Sequence, residues 1–402
     1  MVKLGSLFDG SGGFPLAGSL CGIEPVWASE VEPYPISVTN SRFPNMKHLG
    51  SVTDVHGGDI EPVDIITFGS PCQDLSVAGK RAGLKHEANG DDETTRSGLF
   101  MEAVRIIKEM REETHGEYPT FAVWENVPGA FSSNKGEDFR TVLEELIKIV
   151  EQTAVMPAVP KNGWTYADSY CGDGWSLAYR VFDAQYWGVP QRRRRIYLVL
   201  DLRGQRAGKV SFEREGLRGN FATFRTAGQG TAGDAANRAR ADDCEGECVT
   251  HTFQNTGIGW WNESPVGATV RTPCGGDSTL ANVCVEKNNT RYIVRRITPT
   301  ECARLQGFPD DWGHPEHKED FTEEEYRFWL NVSNTHAAIN GKPKKDYNKA
   351  QMLPWYNKLH TDSGEYKMYG NGIALPCALY VMQGIKEVLI HDEMESDNRI
   401  RK

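Results

Sequence analysis

The residues able to do chemistry begin with a thiol. Cys72 lies in GSPCQD (69–74), directly after the apolar run VDIITF (63–68), where a buried strand is expected to end. By itself it reads two ways, because free cysteines are among the most buried residue types and a reactive one needs an activating environment. A second group is SLFDGSGGFPLAGSL (6–20), a strand, a turn with glycines at 10, 12 and 13, and a helix opened by Pro15; Glu30 then ends the next apolar run. Such a turn lets the backbone approach a ligand at a helix N-terminus, and an acid at the next strand end can accept the ribose hydroxyls of an adenine nucleoside. The spacing is not GxGxxG and no P-loop lysine is present, which disfavours a dinucleotide and ATP. A third group is basic: Arg192, Arg193, Arg194, Arg195, Arg203, Arg206 and Lys209 against one acid, Asp201, either a solvated face or an anion-binding one. Cys244, Cys248 and His251, with Cys274 and Cys284 beyond, lack the paired CxxC spacing of a zinc site, so no metal ligands are assigned.

The elements that must position these groups follow from periodicity. Apolar runs at 3–8, 25–30, 63–68, 120–125, 176–182 and 195–200 alternate with helical patterns, the signature of a mainly parallel sheet. One helix aligns Leu99, Ala103, Ile106, Ile107 and Met110; another aligns Phe139, Val142, Leu143, Leu146, Ile147 and Val150. From about 204 to 290 Gly, Ala, Thr, Asn and Asp dominate, and a loop-rich domain with short strands such as GATVRT (267–272) is expected. Residues 311–365 are charged and aromatic, with one helix expected around FTEEEYRFWLNV, and GIALPCALYVMQGIKEVLI reads as a buried helix returning to the first domain. The expected division is 1–203, 204–365 with 311–365 as an insertion, and 366–402.

Composition sets the class. The 402 residues are 39% hydrophobic and 25% charged, ordinary for a globular protein, with no apolar run long enough to span a membrane. No signal peptide is expected in MVKLGSLFDG, and nine scattered cysteines read as reduced thiols, so a cytoplasmic setting is expected. The net charge of −10 argues against a general polyanion binder, but a local basic patch overrides net charge.

Taken in order, GSPCQ (69–73), WENVPG (124–129), YWGVPQRRRRIYLVL (186–200), RRITPTECARLQGFPDDW (295–312) and YGNGIALP (369–376), following the glycine turn, closely resemble the cytosine-C5 DNA methyltransferases of bacterial and phage modification type. The resemblance runs from residue 4 to about 380, with a gap at the variable recognition region. It implies an α/β, doubly wound, mostly parallel sheet, Rossmann-like and S-adenosylmethionine-dependent, with a smaller target-recognition domain. In that chemistry a thiolate adds to carbon 6 of cytosine, carbon 5 then attacks the sulfonium methyl of S-adenosylmethionine, and loss of the carbon-5 proton expels the thiol.

By that resemblance Cys72 is the nucleophile, Glu125 binds the N3 and N4 edge of a flipped cytosine, and Arg193 and Arg195 anchor the base and favour a thiolate. Arg192 and Arg194, on the other face of a strand, keep the solvated reading. For the cofactor it carries over Phe8, Gly10, Gly12, Gly13, Glu30, Pro71, Leu99, Asn371 and Ile373. Gln73, Ser76, Lys80, Arg81 and Gln191 are the expected DNA contacts. Two departures stand out: Ser51 where the family has an acid for the adenine amino group, with Asp54 nearby, and Gly372 where Ser or Ala is common. The expected partner is double-stranded DNA, with a cognate restriction endonuclease a further candidate; a monomer with no membrane association is expected. An RNA cytosine-5 methyltransferase and a catalytically silent nucleic-acid-binding protein are the rivals. The long variable region, carrying Trp260 and Trp261, favours DNA over RNA.

Overall fold

The computed structural model describes residues 1–70, 98–212 and 297–400, with the backbone of four strands between 249 and 296; side chains are described to residue 392, those four strands excepted. Strands and helices alternate at first: β1 (Lys3–Leu7), α1 (Gly13–Leu20), β2 (Glu24–Ser29), α2 (Pro33–Arg42), β3 (Lys47–His48), β4 (Ile65–Phe68), α3 (Leu99–Glu113) and β5 (Phe121–Asn126). After α4 (Glu137–Ile147) come β6 (Ala167–Gly172), β7 (Trp175–Asp183), β8 (Arg194–Asp201) and the short α5 (Ala207–Ser211). A separate sheet holds β9 (Val249–Asn255), β10 (Trp261–Glu263), β11 (Asn282–Asn288) and β12 (Arg291–Arg296). The chain closes with α6 (Pro299–Gln306), α7 (Glu323–Ile339), α8 (Lys349–Asn357), α9 (Asp362–Asn371) and α10 (Leu375–Ile400).

The large sheet has the order β3-β2-β1-β4-β5-β8-β7-β6. Pairing is parallel from β3 to β5 and antiparallel from β5 through β8 and β7 to β6. Side-chain alternation sends successive residues to opposite faces. Leu4, Ile65 and Val123 join one buried cluster, with Phe14 and Ala17 of α1 and Ala378, Val381 and Ile385 of α10. Leu7, Ile66 and Trp124 join the other, with Phe100 and Ile106 of α3 and Phe139 and Leu143 of α4. Helices therefore cover both faces, which is the doubly wound arrangement.

The six expected strands of this sheet lie within two residues of β1, β2, β4, β5, β7 and β8. The two periodic helices are α3 and α4, although α4 stops at Ile147, before Val150. The expected strand at 267–272 lies outside the described residues. Beyond 311 the chain forms α7, α8 and α9, not a single helix; α8 carries Pro354 inside it and is opened by a capping box of Asn348 and Gln351. Residues 297–365 are tied to the large sheet: Ile297, Cys302, Ala303, Phe308 and Trp312 share the cluster of Phe14 and Ile373, and Phe321, Trp329 and Met352 pack with Ile36 of α2. Among the described residues no single helix is long and apolar enough to cross a membrane.

Candidate active site

Strand order reverses between β1 and β4, and open α/β sheets bind ligands outside the carboxyl ends of their strands at such a point. Here those ends carry the glycine turn after β1, Glu30 after β2, Gly69–Ser70 after β4 and Glu125 as the penultimate residue of β5. Because β8 runs antiparallel to β5, its first residues arrive at the same edge: Glu125 pairs with Tyr197 and Asn126 with Ile196. Topology alone thus gathers the glycine turn, an acid and the arginines.

At the edge shared by β5 and β8 Glu125 is largely buried, and its Oε1 lies 3.2 Å from Arg195 Nε. Desolvation raises the Glu125 carboxyl above its ordinary value, and the Arg195 and Arg193 guanidiniums only partly offset it. Gly69 lies against this acid: a Cβ there would stand 3.3 Å from Glu125 Oε2. Ser70 is gripped from β5, because Asn126 Nδ2 donates to its carbonyl at 3.0 Å and Trp124 Nε1 donates to its Oγ at 3.3 Å. The chain therefore enters Pro71–Cys72 from a backbone point fixed beside Glu125. Pro71, Cys72, Gln73, Ser76, Lys80 and Arg81 lie outside the described residues.

The two arginines divide their work. Arg195 faces Glu125, whereas Arg193 is fully buried and donates through Nη2 to the carbonyls of Gly370, at 3.1 Å, and Gly372. Arg193 thus ties the start of β8 to the turn after α9. Its backbone N–H donates to Asp183 Oδ1, and Arg194, exposed as expected, pairs with Asp183 Oδ2 at 3.2 Å. Arg192 is also exposed. Gln191, expected among the DNA contacts, has no solvent exposure, and neither amide atom has a hydrogen-bond partner. Its amide therefore sits inside the fold, next in sequence to the exposed Arg192.

At the cofactor edge Phe8, Gly10 and Gly12 all have positive φ, at 56°, 55° and 72°, and the turn is closed by Gly12 N–H donating to Asp9 O. Open space lies over Gly10, where a Cβ would meet nothing nearer than Phe8 O at 3.8 Å, while Gly13 is covered by Ile373 at 2.5 Å. Glu30 accepts three backbone N–H groups, from Gly10 at 2.7 Å, Val31 at 2.7 Å and Glu32 at 2.9 Å. Oε1 takes two of them and Oε2 one, so a carboxylate with about four acceptor sites keeps room for one more donor, on Oε2. Leu99 is half-buried at the start of α3, and Asn371 is exposed at the end of α9.

Both family departures have local reasons. Ser51 caps the short helical turn 52–54 and accepts from Thr53 N at 3.3 Å, and Asp54 is exposed. A Cβ on Gly372 would lie 2.6 Å from Ser11 Oγ, so Ser11 fills the place a side chain at 372 would take. Sequence reasoning missed Asp9, which is buried beside the turn and receives Ser6 Oγ at 2.7 Å on Oδ1 but nothing on Oδ2. Burial pushes Asp9 up to about 7. It also missed Trp312, whose Nε1 donates to Ser11 O at 2.8 Å. An acid inside a glycine turn was the available signal for Asp9; Trp312 closes the stretch 295–312, but nothing in the sequence pairs it with Ser11, 301 residues away.

A family model described as C-5 cytosine-specific DNA methylase matches residues 2–150 and 166–328. A protein of Escherichia phage P1 named DNA N-6-adenine-methyltransferase is 28% identical, over 99% of this chain and 63% of its own length. A type II methyltransferase of Bacillus subtilis, M2.BsuMI, is 26% identical over 77% of this chain and 66% of its own length. The chain thus spans less than two thirds of either relative. A crystal structure of S. pombe Dnmt2 methyltransferase shares the fold, with TM-score 0.52 and 15% identity over 97% of this chain and 99% of that one.

Proposed function

The chain belongs to the C-5 cytosine-specific DNA methylase family, and on that premise we propose that it transfers a methyl group from S-adenosylmethionine to carbon 5 of a flipped-out cytosine in duplex DNA. The observation that carries this reading is the junction of β4 and β5. An acid raised by burial, a guanidinium on it and a backbone clamp on Ser70 all stand at the point from which Pro71–Cys72 departs.

Each residue has a task in that proposal. Cys72 adds to carbon 6 as thiolate, and Arg195, with the buried charge of Arg193 behind it, favours the anion. Glu125 in its acid form gives a proton or hydrogen bond to N3, which draws electrons from the ring as the thiolate adds. When the carbon-5 proton leaves, the thiol is expelled. Bound S-adenosylmethionine supplies an electrophilic methyl. The turn fits it: Gly10 leaves open space, Glu30 Oε2 can accept a ribose hydroxyl, and the orphaned Asp9 Oδ2 suits the cofactor's ammonium. Phe8, Gly12, Gly13, Pro71, Leu99, Asn371 and Ile373 complete the proposed pocket. Gln73, Ser76, Lys80 and Arg81 are proposed to meet the DNA, residues 204–296 to read its sequence, and a restriction endonuclease to be a partner of the system.

The name of the phage relative raises a second reading, transfer to the exocyclic amine of adenine. That reaction has no use for a thiol added to a ring carbon. Digested DNA from a host expressing the chain, analysed by mass spectrometry, separates them: 5-methylcytosine that disappears in Cys72→Ala is expected. N6-methyladenine alone, or methylation of tRNA but of no duplex, overturns the proposal.

A further inference from the structure

Residues 311–365 have no task in the reaction above, yet they bring together His314, His360 and Glu365. Glu365 Oε2 lies 3.4 Å from His360 Nε2 and 3.8 Å from His314 Nε2, and the three ligand atoms all lie within 4.8 Å of one another. Donors about 2.1 Å from a tetrahedral ion stand roughly 3.4 Å apart, so small side-chain rotations would close this set. We propose that these three residues form a binding site for a divalent transition metal ion of the class that two imidazoles and a carboxylate hold, zinc among them.

The acid gives the second, independent observation. Glu365 is 1% exposed, and its Oε1 is buried without a hydrogen-bond partner. Oε2 is within hydrogen-bond distance of His360 Nε2 at 3.4 Å, whereas Oε1 is left without a partner that a bound cation would supply. Both histidines are exposed on their outer sides, which leaves an entry path and a position for water. The pocket is also shaped around the acid. Gly313 approaches so closely that a Cβ there would lie 2.4 Å from Glu365 Oε1. Tyr34 stacks on His360, with ring centroids 6.0 Å apart, and its hydroxyl donates to Gly313 O at 2.5 Å.

The placement gives the ion a structural task. His314 follows Trp312, which holds Ser11 in the glycine turn, and Glu365 lies in α9, which leads to Asn371 and Gly372. One ion would therefore staple both ends of the 311–365 insertion to the wall of the cofactor turn. The sequence reading weighed only Cys244, Cys248, His251, Cys274 and Cys284 for a metal; His314 and His360, 46 positions apart, lie in no spaced motif.

The test uses the full chain, stripped with a chelator and titrated with zinc and with cobalt. One equivalent bound with N/O ligation, a raised melting temperature, and affinity at least tenfold weaker in His314→Ala and in His360→Ala are expected. His336→Ala, and Cys244→Ser with Cys248→Ser, should bind like the parent. Unchanged affinity in both ligand variants, a cobalt spectrum showing thiolate charge transfer alone, or no binding to the parent overturns the site. His314→Gln and His360→Gln repeat the measurement if either alanine variant melts low without metal.

Discussion

Glu125 and Asp9 are both carboxyls raised by burial, but their differing company predicts different behaviour. Glu125 faces Arg195, and the proposed reaction needs its acid form while Cys72 is a thiolate, so the rate should be bell-shaped in pH. Glu125→Gln should cut kcat by about 10²–10⁴-fold. Its remaining activity should lose the alkaline limb, since an amide does not titrate; an intact limb would assign that pKa elsewhere. Asp9 goes from its ordinary 3.8 to about 7 on folding. Between those values the folded chain holds a proton that the unfolded chain has released, so stability falls as pH rises through this window and stays lower above it. Asp9→Asn removes the penalty while keeping an acceptor for Ser6. Thermal melts should show the variant more stable by about 1–4 kcal/mol at pH 8, with the difference fading by pH 4. Cofactor affinity should move the opposite way, weakening roughly tenfold or more if Asp9 accepts the ammonium. A variant no more stable at pH 8 would mean that burial does not penalise Asp9 as the packing implies.

At the scale of elements, the inner strands were legible because both faces are buried. Runs such as VDIITF and TFAVWE admit few other readings once they alternate with helices. The two outer strands were not: β3 has two residues, and β6 is an edge strand with mostly exposed side chains that shows no apolar pattern. α8 was hidden by Pro354, and only its capping box offsets that signal. The site was legible as a set of motifs, whereas the contacts between motifs were not. Gly372 looked like a lost side chain, yet across 361 residues of sequence it is the complement of Ser11. This makes the pair testable. Gly372→Ala should cost about 1–3 kcal/mol, as overpacking does, and Ser11→Gly should recover much of it in a double-mutant cycle. Additive losses in denaturant unfolding would mean that the two residues do not compete for the same space.

For the molecule as a whole, the boundary of the segment proposed to read DNA is an argument about packing. Composition placed it at 204–365, because glycine-rich and charged stretches run on without a break. The contacts divide that stretch: Ile297, Cys302, Ala303, Phe308 and Trp312 are buried with Phe14, Tyr369 and Ile373 in the large sheet's cluster. Fully burying a large apolar side chain contributes about 1.5–3 kcal/mol, so losing Ile297, Phe308 and Trp312 together would cost an amount comparable with the ~5–15 kcal/mol by which a typical fold is stable. Replacing 204–365 with a relative's segment should therefore give a chain that fails to fold unless the incoming residues reproduce these contacts. Replacing 213–296 alone, which leaves Ala207 and Val210 buried in that cluster, should leave the melting transition nearly unchanged and transfer the relative's target sequence, read by bisulfite sequencing of host DNA. A folded 213–296 chimera that keeps its original target would move sequence reading into 297–365, against the glycine turn where Trp312 meets Ser11.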